Sequence, residues 1–254
     1  MKAVMCRQFG PPESLVVEDL PSPRPGAGEV VVSVKAASVN FPDVLIIQNK
    51  YQVKPPLPFS PGSELAGIVK EVGEGVTNAK PGDRVIAFAS YGAFAEECVV
   101  PAARLVPIAA GMDFVTAASF LLTYGTSHHA LRNRAATSPG ETLLVLGAAG
   151  GVGISAIEIG KVLGLRVIAC ASSEDKLAVC RQHGADETIN YAAEDLREGI
   201  KRATGGKGVD VIYDPLGGPY AEAALRSSSW RARFLVIGFA SGDIPKIALN
   251  LPLL

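Results

Sequence analysis

The 254-residue sequence has no long apolar run, no excess of charge of one sign and no cysteine pairing pattern. No stretch reaches the about 18 consecutive apolar residues of a membrane-spanning helix, and the N-terminus lacks the apolar region of a secretion signal. The 24 Lys and Arg residues balance 25 Asp and Glu residues, which argues against a nucleic-acid binder. The four cysteines are far apart without CxxC spacing, so we expect reduced thiols and a cytoplasmic protein.

The sequence has two consecutive regions that differ in their pattern of predicted strands and helices. Over the first ~120 residues, short β-type runs such as Glu29–Val39 and Glu64–Gly73 alternate with Pro- and Gly-rich turns, which indicates a barrel or sandwich. Asp113–Leu131 has a helical pattern, and beyond it strands and helices alternate, which predicts parallel strands with crossover helices. We therefore expect an α/β protein with a β-barrel domain at 1–120 and a doubly wound parallel sheet at 121–254.

A glycine-rich turn stands at the start of the second region. It follows the predicted strand Leu143–Leu146 and precedes a helix that begins at Val152. Aligned with the dinucleotide-binding pattern GxGxxG, the chain reads Ala148, Gly150 and Gly153, with alanine in the place of the first glycine. Gly150 would let the backbone approach a pyrophosphate, and Gly153 would let the helix lie close to the sheet. The alternative is a glycine turn that binds nothing, which the surrounding strand–helix units disfavour.

The end of the next predicted strand, Arg166–Cys170, indicates which dinucleotide fits. NAD-binding folds place a carboxylate there for the ribose 2′-hydroxyl, but this chain continues with Ala-Ser-Ser. Ser172, Ser173 and Lys176 could hold a 2′-phosphate through hydroxyls and a point charge, so NADPH is the expected coenzyme. The alternatives are that Ser173 only caps the following helix and that Lys176 is a solvated surface charge.

Seven stretches together carry a resemblance to the zinc-free quinone oxidoreductase branch, the zeta-crystallin-like group, of the medium-chain dehydrogenase/reductase superfamily. They are Ser38–Asp43, Pro61–Val76, Pro81–Val85, Thr123–Leu131, Gly147–Gly153, Gly184–Tyr191 and Gly208–Gly218. They occur in the family's order and span essentially the whole chain. The resemblance implies a GroES-like barrel domain followed by a Rossmann domain, with the acceptor bound in the cleft between them.

The resemblance also implies site residues. The coenzyme would be lined by Thr126, Gly150, Gly151 and Val152, beside Gly153 of the glycine pattern. Its 2′-phosphate end would be held by Lys176 and Tyr191, and its nicotinamide would lie near Phe239 and Ala240. Asn40 and Tyr51 match polar positions beside the reacting ring. The arginine and glycine of the family's Arg-x-Gly-x-Tyr pattern are absent here, where the chain reads Ile47–Tyr51.

No metal site is expected. Alcohol dehydrogenases of the superfamily use a Cys in the segment matching Asn40–Asp43 and a His at the position of Ser63, and this chain has neither. The four-cysteine lobe of those enzymes is missing too. Zinc needs three or four N, S or O ligands, and the histidines at 128, 129 and 183 form no such group.

Without a Lewis acid, the acceptor should already be electron-poor, such as a quinone or an α,β-unsaturated carbonyl. NADPH would supply a hydride, and Tyr51 or Asn40 would donate a hydrogen bond to the acceptor carbonyl. The alternatives are that Tyr51 is an aromatic wall residue and that Asn40 ties down a barrel loop. An enone or enoyl reductase, and a non-catalytic NADPH-binding protein, remain alternative functions.

The family implies a longer chain. Its members continue for ~80 residues beyond the position of Leu254, adding a sixth strand that commonly builds a homodimer. We therefore expect a fragment or variant form that lacks this part, and a homodimer where the full-length chain exists. Apart from the coenzyme, the ligand that we expect is a small-molecule acceptor, a quinone or an enone.

Overall fold

Short β-branched runs between Pro- and Gly-rich turns form an antiparallel sheet in the first part of the chain. The computed structural model describes residues 1–253 and divides the chain into two units, Met1–Leu122 and Thr123–Leu254. The first unit contains β1 (Lys2–Met5), β2 (Val16–Asp19), β3 (Glu29–Ala37), α1 (Phe41–Ile47), β4 (Glu64–Val72), β5 (Arg84–Phe88), β6 (Glu97–Pro101), β7 (Leu105–Pro107) and α2 (Phe114–Ala118). Single 3₁₀ turns occupy Pro12–Ser14 and Ala102–Arg104.

The main sheet of this unit has the strand order β6-β3-β4-β5-β7, and every pairing in it is antiparallel. Strands β1 and β2 pair with each other, with Val4 opposite Val17. Side chains from one face of the main sheet are buried together, among them Val32, Leu65 and Val100. On the other face, Ala66 and Ile86 are buried together with Ala117 of α2, so consecutive residues of β4 and β5 are buried.

The second unit alternates helices with strands. Its elements are α3 (Leu121–His128), within which the division between units falls, a π-helical segment (His129–Arg134), β8 (Thr142–Val145), α4 (Gly151–Val162), β9 (Arg166–Ala171), α5 (Glu174–Gln182), β10 (Glu187–Asn190), α6 (Leu196–Thr204), β11 (Val209–Asp214), α7 (Tyr220–Leu225), β12 (Ser228–Val236) and α8 (Asn250–Leu253).

Within residues 1–253, the strands of this unit form one parallel sheet in the order β10-β9-β8-β11-β12. Successive residues of its central strand enter different cores: Leu143 and Val145 pack on one face, and Leu144 packs on the other. Because helices cover both faces, the strands are apolar on both sides and give no alternating pattern. This arrangement confirms the predicted doubly wound sheet.

The helix predicted over Asp113–Leu131 is interrupted. The structure forms α2, ended by Ser119, then a separate α3, and finishes with π-helical turns. A carboxylate from another element accounts for the restart, because Glu64 Oε1 accepts the N–H groups of Leu121 and Leu122 at 2.5 and 3.2 Å. Such a distant cap cannot be read from the local sequence.

Candidate functional site

The sheet of the second unit has a switch point between β8 and β11, where the chain direction along the strand order reverses. Ligands of open parallel sheets bind outside the carboxyl ends of the strands at this point. The loops that leave β8 and β11 are neighbours there, since a Cβ on Gly147 would lie 3.7 Å from the Leu216 Cβ. The predicted glycine turn therefore lies at the switch point.

The glycine turn has the geometry of a phosphate cradle. Gly147 has a φ of 55°, so it supplies the left-handed turn that the alignment assigned to Ala148. A Cβ on Gly153 would lie 2.5 Å from the Ala148 carbonyl oxygen, which explains why only glycine fits there. Gly150 is the N-cap of α4, and the first intrahelical bond is that of Ile154 N–H with Gly150 O at 2.8 Å.

The N–H groups of Gly151, Val152 and Gly153 consequently lie outside the hydrogen-bond ladder of α4. Unpaired N–H groups at a helix N-terminus, together with the helix dipole, form a binding site for an anion. The resemblance assigned Gly151 and Val152 to the coenzyme, and Gly153 belongs to the glycine pattern. The cradle suits a pyrophosphate because it offers backbone donors without any side chain in the way.

The corner after β9 brings together the residues predicted for a 2′-phosphate. Lys176 Nζ donates to Ser172 Oγ at 3.2 Å, and the Tyr191 N–H donates to the Ala171 carbonyl oxygen at the end of β9, also at 3.2 Å. The Tyr191 ring stacks at 4.4 Å on Tyr220, and burial raises the pKa of its hydroxyl. Ser173 is the N-cap residue of α5, but its side chain makes no cap hydrogen bond. It therefore occupies the capping position without its hydroxyl capping the helix.

The loop after β12 packs on the loop after β11. Ala240 N–H donates to Pro215 O at 3.0 Å, and a Cβ on Gly217 would lie 2.9 Å from the Phe239 ring. Asp214 holds the second of these loops, since its Oδ1 accepts the N–H groups of Leu216 and Gly217 at 2.9 and 2.8 Å. Phe239 and Ala240 thus lie at the carboxyl edge of the sheet, and their place near the nicotinamide stays a prediction.

Thr126 lies half-buried on α3, beside a buried hydroxyl network that the sequence did not indicate. Ser127 Oγ lies 2.7 Å from Tyr213 Oη and 2.8 Å from Ser155 Oγ, and it donates to Val152 O at 3.0 Å. Burial raises the pKa of Tyr213 to about 12, so its hydroxyl stays protonated as a hydrogen-bond donor. The network joins α3, α4 and β11 beneath the first turn of α4.

In the first unit, Asn40 and Tyr51 stand on either side of α1. Asn40 is the N-cap of this helix; its N–H donates to Asp43 Oδ2 and its Nδ2 to Ser38 Oγ, both at 2.8 Å. This agrees with the interpretation that Asn40 orders a loop, and it leaves further hydrogen-bonding capacity on the amide. Tyr51 is half-buried against the apolar cluster that includes Ile47.

At the positions that correspond to zinc ligands in alcohol dehydrogenases, this chain has polar residues that hydrogen-bond to each other. Ser63 Oγ donates to Asp43 Oδ1 at 3.0 Å, and burial raises the pKa of Asp43. Within residues 1–253, no group of three or more His, Cys, Asp or Glu is arranged to hold a metal ion. No helix in the described part of the chain is long and apolar enough to cross a membrane.

Two family models match the chain in the order of its two units. One, described as alcohol dehydrogenase GroES-like domain, matches residues 26–110, and the other, described as zinc-binding dehydrogenase, matches residues 151–254. A GroES-like domain followed by a parallel nucleotide-binding sheet defines the medium-chain dehydrogenase/reductase class. The two predicted domain types, a GroES-like domain and a Rossmann domain, are confirmed.

Comparison with similar proteins shows to which family within this class the chain belongs. A quinone oxidoreductase-like protein 2 homolog of Nematostella vectensis is 40% identical over 98% of this chain, which spans 68% of that protein's length. A Pseudomonas syringae quinone oxidoreductase superposes with a TM-score of 0.92 at 35% identity, over 99% of this chain and 78% of its own. An Escherichia coli quinone oxidoreductase in complex with NADPH superposes with a TM-score of 0.93 at 34% identity, over 99% of this chain and 77% of its own. The chain belongs to the quinone oxidoreductase family of medium-chain dehydrogenases/reductases.

Proposed function

We propose that the chain is an NADPH-dependent, zinc-independent oxidoreductase that transfers a hydride to a quinone or a similarly electron-poor carbonyl acceptor. The observation that carries this proposal is the pairing of two features at one edge of the parallel sheet. The open amides of α4 offer a pyrophosphate site, and the corner of Ser172, Lys176 and Tyr191 offers donors for a further phosphate.

The corner after β9 favours NADPH over NADH. No carboxylate stands at the end of β9, where one would accept a hydrogen bond from a ribose 2′-hydroxyl and repel a 2′-phosphate. The nearest carboxylate in the sequence, Glu174, pairs with Arg181 on the same helix. The NADPH complex of the Escherichia coli relative supports the same coenzyme.

On the acceptor side, the first unit offers hydrogen-bond donors, and its described residues include no group of three His, Cys, Asp or Glu arranged to hold a metal ion. The bound coenzyme supplies a hydride, and the protein has to orient the acceptor and stabilise the negative charge that develops on its oxygen. Asn40 and Tyr51 are the proposed donors. Ser63 in place of a zinc ligand supports chemistry without zinc, which restricts the substrates to carbonyls activated by their own conjugation.

The test combines binding with turnover. NADPH and NADH are titrated calorimetrically, and NADPH oxidation is then followed with a quinone, an enone and an unactivated ketone, each with and without a zinc chelator. We expect tighter binding of NADPH than of NADH, and turnover of the quinone that the chelator leaves unchanged. Turnover of the enone alone would favour an enoyl reductase, and saturable binding without any turnover would favour a non-catalytic NADPH-binding protein.

A further inference from the structure

A buried carboxylate of β4 connects the loop of Asn40 with the start of α3. Glu64 has no exposed surface, and its two oxygens have separate partners. Oε1 accepts the N–H groups of Leu121 and Leu122, whereas Oε2 accepts the hydroxyl of Ser38 at 2.9 Å. A buried carboxylate is costly unless such donors compensate it, so each of these hydrogen bonds constrains its partner.

The hydrogen bonds from Asn40 to Glu64 run in one direction. Ser38 Oγ donates to Glu64 Oε2, and this hydrogen bond and those of Leu121 and Leu122 oppose the rise in the Glu64 pKa that burial causes. The Ser38 oxygen then accepts from Asn40 Nδ2 at 2.8 Å. Reversal of the first bond would turn the Ser38 proton toward Asn40 and favour the flipped amide. The carboxylate therefore holds Nδ2 of the Asn40 amide toward Ser38, and the second N–H of Nδ2 is the donor that remains for an acceptor carbonyl.

We propose that Glu64 is a positioning residue for acceptor reduction, and that it acts through Ser38 to hold the Asn40 amide in one orientation. This rests on the proposed role of Asn40 as a donor to the acceptor. A purely structural Glu64 would only cap α3. The two roles are separable, because loss of the Ser38 hydroxyl leaves both backbone hydrogen bonds of Glu64 in place.

The decisive variants are Asn40→Ala, Ser38→Ala and Glu64→Gln, with Ser38→Thr as the conservative variant. Ser33→Ala, a half-buried serine of β3, is the matched control. We expect kcat for the quinone to fall about 100-fold in Asn40→Ala and about tenfold in Ser38→Ala and in Glu64→Gln, since each misplaces a transition-state donor. Ser38→Thr retains most of the turnover, and the Kd for NADPH stays unchanged in all variants.

A double variant identifies the route of the effect. In an Asn40→Ala background, neither Ser38→Ala nor Glu64→Gln should lower kcat further, because the group that they orient is already gone. An additional tenfold loss there would show that Glu64 acts elsewhere and would overturn the proposal. If Glu64→Gln does not fold, the Ser38 and Asn40 variants supply the same cycle.

A second readout needs no turnover. In ¹⁵N–¹H spectra of the 254-residue chain, the protons of the Asn40 side-chain amide should exchange slowly with solvent, and Ser38→Ala should make this exchange faster. Solvent exchange in the unchanged chain as fast as that of a fully exposed asparagine amide would overturn the proposal independently of the activity. If Asn40→Ala turned over like the unchanged chain, the proposed role of Asn40 would fail. If Asn40→Ala lowered kcat but Ser38→Ala and Glu64→Gln turned over like the Ser33→Ala control, the role of Asn40 would stand and the positioning role of Glu64 would fail.

Discussion

Substitution of Lys176 by alanine should change which coenzyme the protein prefers. Lys176 lies one turn into α5 with its ammonium group 3.2 Å from Ser172 Oγ, at the corner proposed for the 2′-phosphate. Alanine is a good helix former, so the substitution removes the charge without disturbing the helix. NADH lacks the phosphate, and its binding should therefore be insensitive to this change.

The size of the effect follows from the exposure of the site. Two unit charges 4 Å apart attract by about 1 kcal/mol in water and about 4 kcal/mol at an effective dielectric constant of 20. Because Lys176 is exposed, its contribution lies toward the lower value, at about 1–2 kcal/mol. That corresponds to an about 5–30-fold rise in the Kd for NADPH.

Calorimetric titration of both coenzymes at low and high salt measures this effect. Lys207→Ala is the control, since Lys207 is equally exposed but precedes β11 at the opposite edge of the sheet. The difference between Lys176→Ala and the unchanged chain should shrink at about 1 M salt, where the screening length is only about 3 Å. Equal weakening of NADPH and NADH, or no weakening of either, would refute the assignment of this corner.

Three further changes test the surroundings of the site. Gly153→Ala places a methyl group against the carbonyl oxygen of the turn, and should cost about 1–3 kcal/mol in thermal unfolding and weaken NADPH binding in titrations. Tyr213→Phe removes a buried partner of Ser127 and should lower the free energy of unfolding by about 1 kcal/mol in urea. Arg233 holds the pKa of Glu141 below its usual value, so this pair stabilises the fold above about pH 4.3 and loses its effect as the pH falls through the lower folded-state pKa. Glu141→Gln should therefore reduce the acid dependence of the melting temperature; an unchanged profile would contradict this.

The sequence predicted those parts of the fold that depend on local chemistry. The strand, glycine turn and helix around Gly150 are visible because each has its own signal within a few residues. The same rules could have found α1, whose N-terminus carries Asn40, a proline and Asp43 in capping positions. The assignment of the tight turn to Ala148 was off by one residue, because only the backbone shows that Gly147 takes the left-handed conformation.

Features that depend on distant partners could not be predicted. The restart of the helix at Leu121 depends on Glu64, which is 57 residues away. The hydroxyl network of Ser127 joins residues up to 86 positions apart, and its tyrosine stands in an apolar strand that periodicity alone assigns to the core. In both cases, a buried polar group finds its partner only when the elements pack.

The proposed reaction assigns coenzyme binding to residues of the second unit and acceptor reduction to residues of the first unit. In the proposal, residues of the second unit such as Lys176 and Gly153 serve groups of the coenzyme that do not react, so their loss should raise the Kd for NADPH and leave turnover at saturation largely intact. In the proposal, Asn40 of the first unit donates where charge develops on the acceptor and Ser38 orients it, so the loss of either should lower kcat at saturating coenzyme. If the Asn40 or Ser38 variants weakened NADPH binding as much as turnover, the acceptor-side polar groups would be supporting the coenzyme, and the division of roles proposed for the two units would be wrong.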